Sequence, residues 1–120
     1  MPTVLITGAS RGLGLEYARQ YADDGWRVIA TCRDPDNATE LASLEGEVET
    51  HALDIGDHGQ ILSLANSLHK EAIDLLLNNA AIFGPRPSKL GEIEYSTWED
   101  VMRINVMSPL MMCESFSDHI

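Results

Sequence analysis

Thr3-Val4-Leu5-Ile6-Thr7-Gly8-Ala9-Ser10-Arg11-Gly12-Leu13-Gly14 is the stretch whose reading decides the fold. Residues 3–7 form a short apolar run rich in β-favouring side chains, so they read as a strand. Three glycines follow within seven positions. Behind them Leu15, Ala18 and Ala22 recur at helical spacing, and Gly25 closes that helix. A glycine-rich turn between a strand and a helix has the physics of a dinucleotide site. Gly8 lets the chain turn sharply off the strand, Gly12 removes a Cβ where a pyrophosphate must approach the backbone, and Gly14 permits close packing of the helix. The helix N-terminus then offers unpaired N–H groups and a favourable dipole to phosphate. A nucleotide-triphosphate loop fits poorly, because no Gly-Lys-Ser/Thr follows.

Outward from this turn the pattern repeats. Residues 27–32 read as a second strand. Pro35 marks a turn before a short helix near 38–44. Residues 48–53 alternate as a third strand. Asp57 is placed to cap a helix with Ile61, Leu64, Ala65 and Leu68 on one face. Residues 73–77 read as an apolar strand buried on both faces. Gly84, Pro85 and Pro87 make 83–90 a loop. A last helix is expected to start near Ser96 or Thr97, and Pro109 should bend or restart it. The order βαβαβαβα predicts an α/β fold: a Rossmann-like, doubly wound parallel sheet in the order 3-2-1-4, with the glycine turn at its carboxyl edge.

Composition narrows the function. The 120 residues are 44% hydrophobic and 22% charged, as in an ordinary globular domain. The net charge is −11, and lysine occurs only at Lys70 and Lys89, which argues against nucleic acid and anionic membrane as partners. Cys32 and Cys113 lie far apart, and no Cys/His cluster has metal-ligand spacing, so no metal is expected and a reduced, cytoplasmic protein is the reading. Met1-Pro2-Thr3 leads straight into the first strand without a basic segment, and no signal peptide is expected.

The motif Thr7-Gly8-x-x-x-Gly12-x-Gly14 resembles the TGxxxGxG signature of short-chain dehydrogenases/reductases. The resemblance continues in order along the chain. Asp54-Ile55 resembles the family's adenine-contacting pair. Asn78-Asn79-Ala80-Ala81 resembles NNAG, with Ala81 in place of the usual glycine. Asn105, in Arg103-Ile104-Asn105-Val106, resembles the helix asparagine of the catalytic tetrad. The resemblance implies a cofactor site built from Gly8, Ser10, Arg11, Gly12, Leu13, Gly14, Arg33, Asp54, Ile55, Asn79, Ala80 and Ala81. It gives Asn105 a catalytic part: distorting its helix and holding a water in a proton relay. Read as residues alone, Asp54 is a strand-end carboxylate capping a turn, and Asn78 and Asn79 are a turn that satisfies its own backbone.

The same resemblance bears on the cofactor. NAD-binding members place an Asp at the end of the second strand, and Cys32 stands there in this chain. Arg33 follows it, and Arg11 precedes the middle glycine. Two guanidinium groups can converge on a 2′-phosphate, so NADP(H) is expected, with Asp34 nearby to weaken the effect. Catalysis in the family also needs a Ser and a Tyr-x-x-x-Lys pair. Four residues after Tyr17, Tyr21 and Tyr95 stand Tyr21, Gly25 and Glu99, so no Tyr here has its Lys. Three readings stay open: the cofactor-binding part (1–120) of a homo-oligomeric NADP(H)-dependent oxidoreductase acting on a small carbonyl or alcohol, truncated before its catalytic Ser and Tyr-x-x-x-Lys; a dinucleotide-binding module without chemistry; and an inactive fragment.

Overall fold

In the computed structural model the described residues are 1–84 and 89–120. The expected loop across Pro85 and Pro87 therefore falls partly outside them. The chain runs β1 (Thr3–Ile6), α1 (Gly12–Asp23), β2 (Arg27–Cys32), a 3-10 turn (Pro35–Asn37), α2 (Thr39–Ala42), β3 (Val48–Ala52), α3 (His58–Ser67), β4 (Leu75–Leu77), α4 (Tyr95–Met102), a π-helical stretch (Arg103–Met107) and α5 (Ser108–Ser115). The four strands pair in parallel in the order β3-β2-β1-β4. Parallel neighbours require crossovers, and α1, α2 and α3 provide them.

The alternation of side chains along a strand divides the core into two layers. On one face Val4, Ile6, Val28 and Ala30 pack with Ala18 and Ala22 of α1 and with Leu41 of α2. On the other, Leu5 and Ile29 pack with Ile61 and Leu64 of α3 and with Met112 and Phe116 at the end of α5. Both layers bury β1 completely, so its run of apolar side chains has no polar face. Asp57 caps α3 by accepting from the Gln60 N–H at 3.3 Å, as its position predicts.

Two expectations need correction. The fourth strand is shorter than 73–77, because Asp74 interrupts the run. Its backbone N–H donates to the Thr3 carbonyl and its carboxylate accepts from the Thr3 N–H at 2.8 Å. Leu75 and Leu77 pack on one core layer and Leu76 on the other, so both faces are covered as expected, but at the edge of the described sheet the three are only half-buried. The short helix near 38–44 is reduced to one turn, Thr39–Ala42, behind the 3-10 turn.

The last helix starts at Tyr95 and changes register in the middle. Proline has no N–H, and its ring clashes with the carbonyl four residues back. Pro109 would meet the carbonyl of Asn105. The helix avoids this by inserting the π stretch, in which the Ser108 N–H reaches back to Arg103, and α5 restarts with Pro109 in its first turn. The buried Ser108 hydroxyl lies 2.6 Å from the Ile55 carbonyl and 2.8 Å from that of Arg103, and His58 Nε2 lies 3.1 Å from it. This cluster fastens the bulge to the loop after β3.

Candidate functional site

The site lies along the carboxyl edge of the sheet, where the glycine turn leaves β1. Gly8 has φ +65° and Gly12 φ +58°, conformations that L side chains rarely adopt. The Ala9 N–H donates to the Thr31 carbonyl at 2.9 Å, which holds the turn over the end of β2. A Cβ at Gly14 would overlap the Gly8 carbonyl oxygen, so the helix start packs directly on the turn. A Cβ at Gly12 would meet nothing within 4 Å, and the backbone there is open to the cleft. Arg11 occupies the N-cap of α1 without a side-chain capping bond, so among the described residues no side chain claims the first-turn N–H groups.

The segment after β4 braces this turn from below. Thr7 Oγ1 accepts from the N–H groups of Asn79 and Ala80, each at 3.0 Å. The Asn79 amide donates to the carbonyls of Thr7 and Gly8, each at 3.1 Å. The Asn78 amide donates to the Pro109 carbonyl at 3.2 Å and lies 3.6 Å from the Cys113 sulfur. The two asparagines thus tie β4 to the turn and to α5. The Asn79 N–H also donates to the Leu77 carbonyl at 3.0 Å, so the segment closes a local turn as well as bracing its neighbours.

Ten of the residues expected to form the site line one cleft of about 440 Å³: Gly8, Ser10, Arg11, Gly12, Arg33, Asp54, Ile55, Asn79, Ala80 and Ala81. Leu13, Gly14 and Asn105 are not on its wall. Leu13 is exposed on α1, and Gly14 is buried under the turn. Asn105 acts one step back, from the π stretch. Its Oδ1 accepts from the Ile82 N–H at 2.9 Å and its Nδ2 donates to the Ile82 carbonyl at 2.8 Å, so the side chain pairs with Ile82 as a neighbouring strand would. Ile82 and Ile104 line the cleft, as do Thr7 and Thr31. Sequence reasoning did not single out Ile82, Ile104 or Thr31. Thr7 was visible only as the first letter of the glycine motif.

At the far end of the cleft the chemistry is set by the end of β2. Cys32 is buried, and burial pushes its thiol above the usual range. The Asp34 backbone N–H opposes that rise and the Asp34 carboxylate adds to it. A neutral thiol therefore stands at the strand end and cannot offer an anionic acceptor. Arg33 and Arg11 are exposed and share a pocket of about 330 Å³ with Asp34 and Asn37. Among the described residues neither arginine has an ion pair. Asp54 accepts from the Gly56 N–H at 3.0 Å, so it does cap the turn after β3, and its second oxygen has no partner among the described residues. Among the described residues no group of three or more His, Cys, Asp or Glu side chains is placed to hold a metal.

The fit to a dinucleotide rests on these features together. A bare backbone faces the cleft at Gly12, and among the described residues the helix donors above it have no side-chain cap and the two cations at one end have no ion pair. They suit a ligand with a pyrophosphate in its middle and a further phosphate at its adenosine end.

Comparison with known proteins agrees with this geometry. Galactitol 2-dehydrogenase of Agrobacterium fabrum is 37% identical over 117 residues, which cover 95% of this chain and 45% of that protein. A short-chain dehydrogenase/reductase from Burkholderia multivorans, solved with bound NADP, superposes with a TM-score of 0.88 at 33% identity over 98% of this chain and 53% of that one. A carbonyl reductase from Pseudomonas aeruginosa superposes with a TM-score of 0.90 at 29% identity, covering all of this chain and 57% of that one. The chain spans about half the length of the curated relatives it matches. The sequence model of the short chain dehydrogenase family matches residues 2–120, and with the sheet order, the glycine turn and these likenesses in agreement, this chain belongs to the short chain dehydrogenase family.

Proposed function

We propose that residues 1–120 form the cofactor site of an NADP(H)-dependent oxidoreductase that moves hydride between the nicotinamide and a small carbonyl or alcohol. The observation that carries the cofactor choice is at the end of β2. Cys32 stands where a carboxylate would hold two ribose hydroxyls, and burial keeps its thiol neutral. Arg33 and Arg11 flank the same pocket with no ion pair among the described residues. The dinucleotide supplies the hydride chemistry when bound.

The chain's own residues do the binding and positioning. Gly8, Ser10, Gly12 and Leu13, with the start of α1, hold the phosphates through backbone N–H groups, and Gly14 lets the helix pack close enough to present them. Arg11 and Arg33 bind the 2′-phosphate. Asp54 and Ile55 take the adenine end of the cleft, and Asn79, Ala80 and Ala81 the nicotinamide-side ribose. Asn105 keeps Ile82 in place on the cleft wall and opens the helix register opposite Pro109, where a water of the proton relay would be held. The Ser and Tyr-x-x-x-Lys that the family uses to move the proton are not among these residues, so the 120-residue stretch by itself is expected to bind cofactor without turnover. We also read the whole protein as a cytoplasmic homo-oligomer. Both cysteines are free, among the described residues no helix is long and apolar enough to cross a membrane, and Trp98, Met102 and Leu110 are exposed along α4 to α5.

Calorimetric titration with NADP⁺ and NAD⁺ tests the cofactor choice. A charge-assisted hydrogen bond contributes about 1.5–3 kcal/mol, so a preference for NADP⁺ of roughly tenfold or more is expected. It should largely vanish in Arg33→Ala through weaker NADP⁺ binding. Equal affinities in the wild type would overturn the assignment.

A further inference from the structure

The chain has 19 acidic residues against 8 basic ones, and among the described residues two arginines are held in ion pairs. Arg19 pairs with both Glu16 and Asp23. Arg27 pairs with both Glu49 and Glu71. Among the described residues Arg11, Arg33 and Arg103 have no ion pair, and of these Arg33 is the one whose neighbour in sequence is a carboxylate. It is adjacent in sequence to Asp34 and shares a pocket with that residue, yet the two form no ion pair.

The cause is visible in the 3-10 turn. The Asn37 side-chain amide donates to Asp34 Oδ2, and the Asn37 backbone N–H donates to the Asp34 carbonyl at 3.2 Å. Pro35 holds its own φ and keeps the preceding residue out of the helical region; Asp34 accordingly has φ −132° and ψ 84°. The Asp34 backbone N–H in turn faces the Cys32 thiol. Asp34 is thereby tied on three sides, and its carboxylate is engaged by a neutral donor. We infer that Asn37 is a specificity-determining positioning residue: by occupying the Asp34 carboxylate, it leaves Arg33 available to a phosphate and keeps Asp34 from serving as a ribose-binding carboxylate. Asn37 acts through Asp34 and need not touch the ligand. The inference rests on the NADP(H) reading above and deepens it, because it explains how an acidic neighbour is tolerated beside a phosphate-binding arginine.

The test uses two soluble probes, 2′,5′-ADP and 5′-ADP, titrated calorimetrically into the purified protein. The wild type is compared with Asn37→Ala, Asp34→Ala, the double variant and Arg33→Ala. Asn37 and Asp34 are exposed, and thermal melting checks that each variant folds; Asn37→Ser serves as a second variant with a shorter side chain. The ratio of affinities for the two probes should fall about two- to fivefold in Asn37→Ala, the range of an exposed charge pair. In the Asp34→Ala background the same Asn37→Ala change should leave the ratio unaltered, which is the signature of action through Asp34. An equal fall in both backgrounds would mean that Asn37 meets the ligand directly or only shapes the turn, and would overturn the inference. So would an unchanged ratio in Asn37→Ala while Arg33→Ala abolishes discrimination; in that case the NADP(H) reading stands and only the role of Asn37 fails. A wild type that does not discriminate between the probes refutes the cofactor reading and the inference with it.

Discussion

A methyl group added at Gly14 and one added at Gly12 should do different damage, although the two glycines belong to one motif. At Gly14 the new Cβ would overlap the Gly8 carbonyl oxygen and lie 2.5 Å from Asn79 Nδ2. Neither neighbour is the loose end of a flexible chain. The carbonyl belongs to a backbone at φ +65°, and the amide is held by bonds of 3.1 Å to Thr7 and Gly8. Making room costs about 1–3 kcal/mol of overpacking, and each hydrogen bond lost costs about 0.5–1.5 kcal/mol. The better helix propensity of alanine returns about 1 kcal/mol. Gly14→Ala should therefore destabilise the fold by about 2–4 kcal/mol, a large share of the roughly 5–15 kcal/mol that holds a domain together. At Gly12 nothing lies within 4 Å of the added carbon, so only the strain of φ +58° remains, about 1–2 kcal/mol. Its methyl would instead stand in the cleft. Urea denaturation followed by circular dichroism reads the first effect and calorimetry with NADP⁺ the second. The midpoint of Gly14→Ala should drop by about 1–2 M and that of Gly12→Ala by about half as much, while Gly12→Ala loses at least about tenfold in affinity. A Gly12→Ala protein that binds NADP⁺ like the wild type, or a Gly14→Ala protein with an unshifted midpoint, would refute this division of labour.

Other outcomes follow from the same geometry. Cys32→Asp combined with Arg33→Leu should reverse the cofactor preference, since a strand-end carboxylate repels the 2′-phosphate and accepts from ribose hydroxyls; a calorimetric preference still in favour of NADP⁺ would count against the role given to the end of β2. Asn105→Asp should destabilise more than Asn105→Ala, because a second acceptor would face the Ile82 carbonyl now met by Nδ2 at 2.8 Å; the expected difference is on the order of 1 kcal/mol in urea melts. Thr7→Val removes the oxygen that accepts from Asn79 and Ala80, leaves the Ala80 N–H without that partner while the Asn79 N–H keeps the Leu77 carbonyl at 3.0 Å, and should cost about 1–3 kcal/mol. Stability should also fall in acid. The Arg27 hydrogen bond lowers the Glu71 carboxyl; burial raises that of Glu49, but hydrogen bonds from His51 and Arg27 outweigh it and the net shift is down. Groups held below their unfolded value stabilise above it, so this contribution is present above the ordinary value of 4.5 and lost as the pH drops through the lowered ones. Urea midpoints between pH 6 and pH 3 should therefore decline less in Arg27→Met than in the wild type; parallel declines would show that the cluster is inert.

What the sequence by itself determined is what local and periodic signals carry. The run into Thr7, the three glycines and the helical spacing of Leu15, Ala18 and Ala22 are contiguous, and a parallel sheet with right-handed crossovers then leaves few orders for four strands. The order 3-2-1-4, the bounds of β2 and the Asp57 cap could be read for that reason. The tertiary structure alone decided what depends on partners distant in sequence. Asp74 shortens β4 because Thr3, 71 residues away, meets both its backbone and its carboxylate. Asn79 is a brace beyond its local turn because the carbonyls of Thr7 and Gly8 lie above its side-chain amide. Pro109 foretold a disturbed helix. That the disturbance is a π stretch which turns Asn105 onto Ile82 follows only once α5 is packed against α3 and fastened through Ser108 to the loop after β3. Spacing along the chain fixes which groups are neighbours on one element; which group on another element completes a hydrogen bond depends on how the layers pack, and a one-dimensional pattern does not contain that.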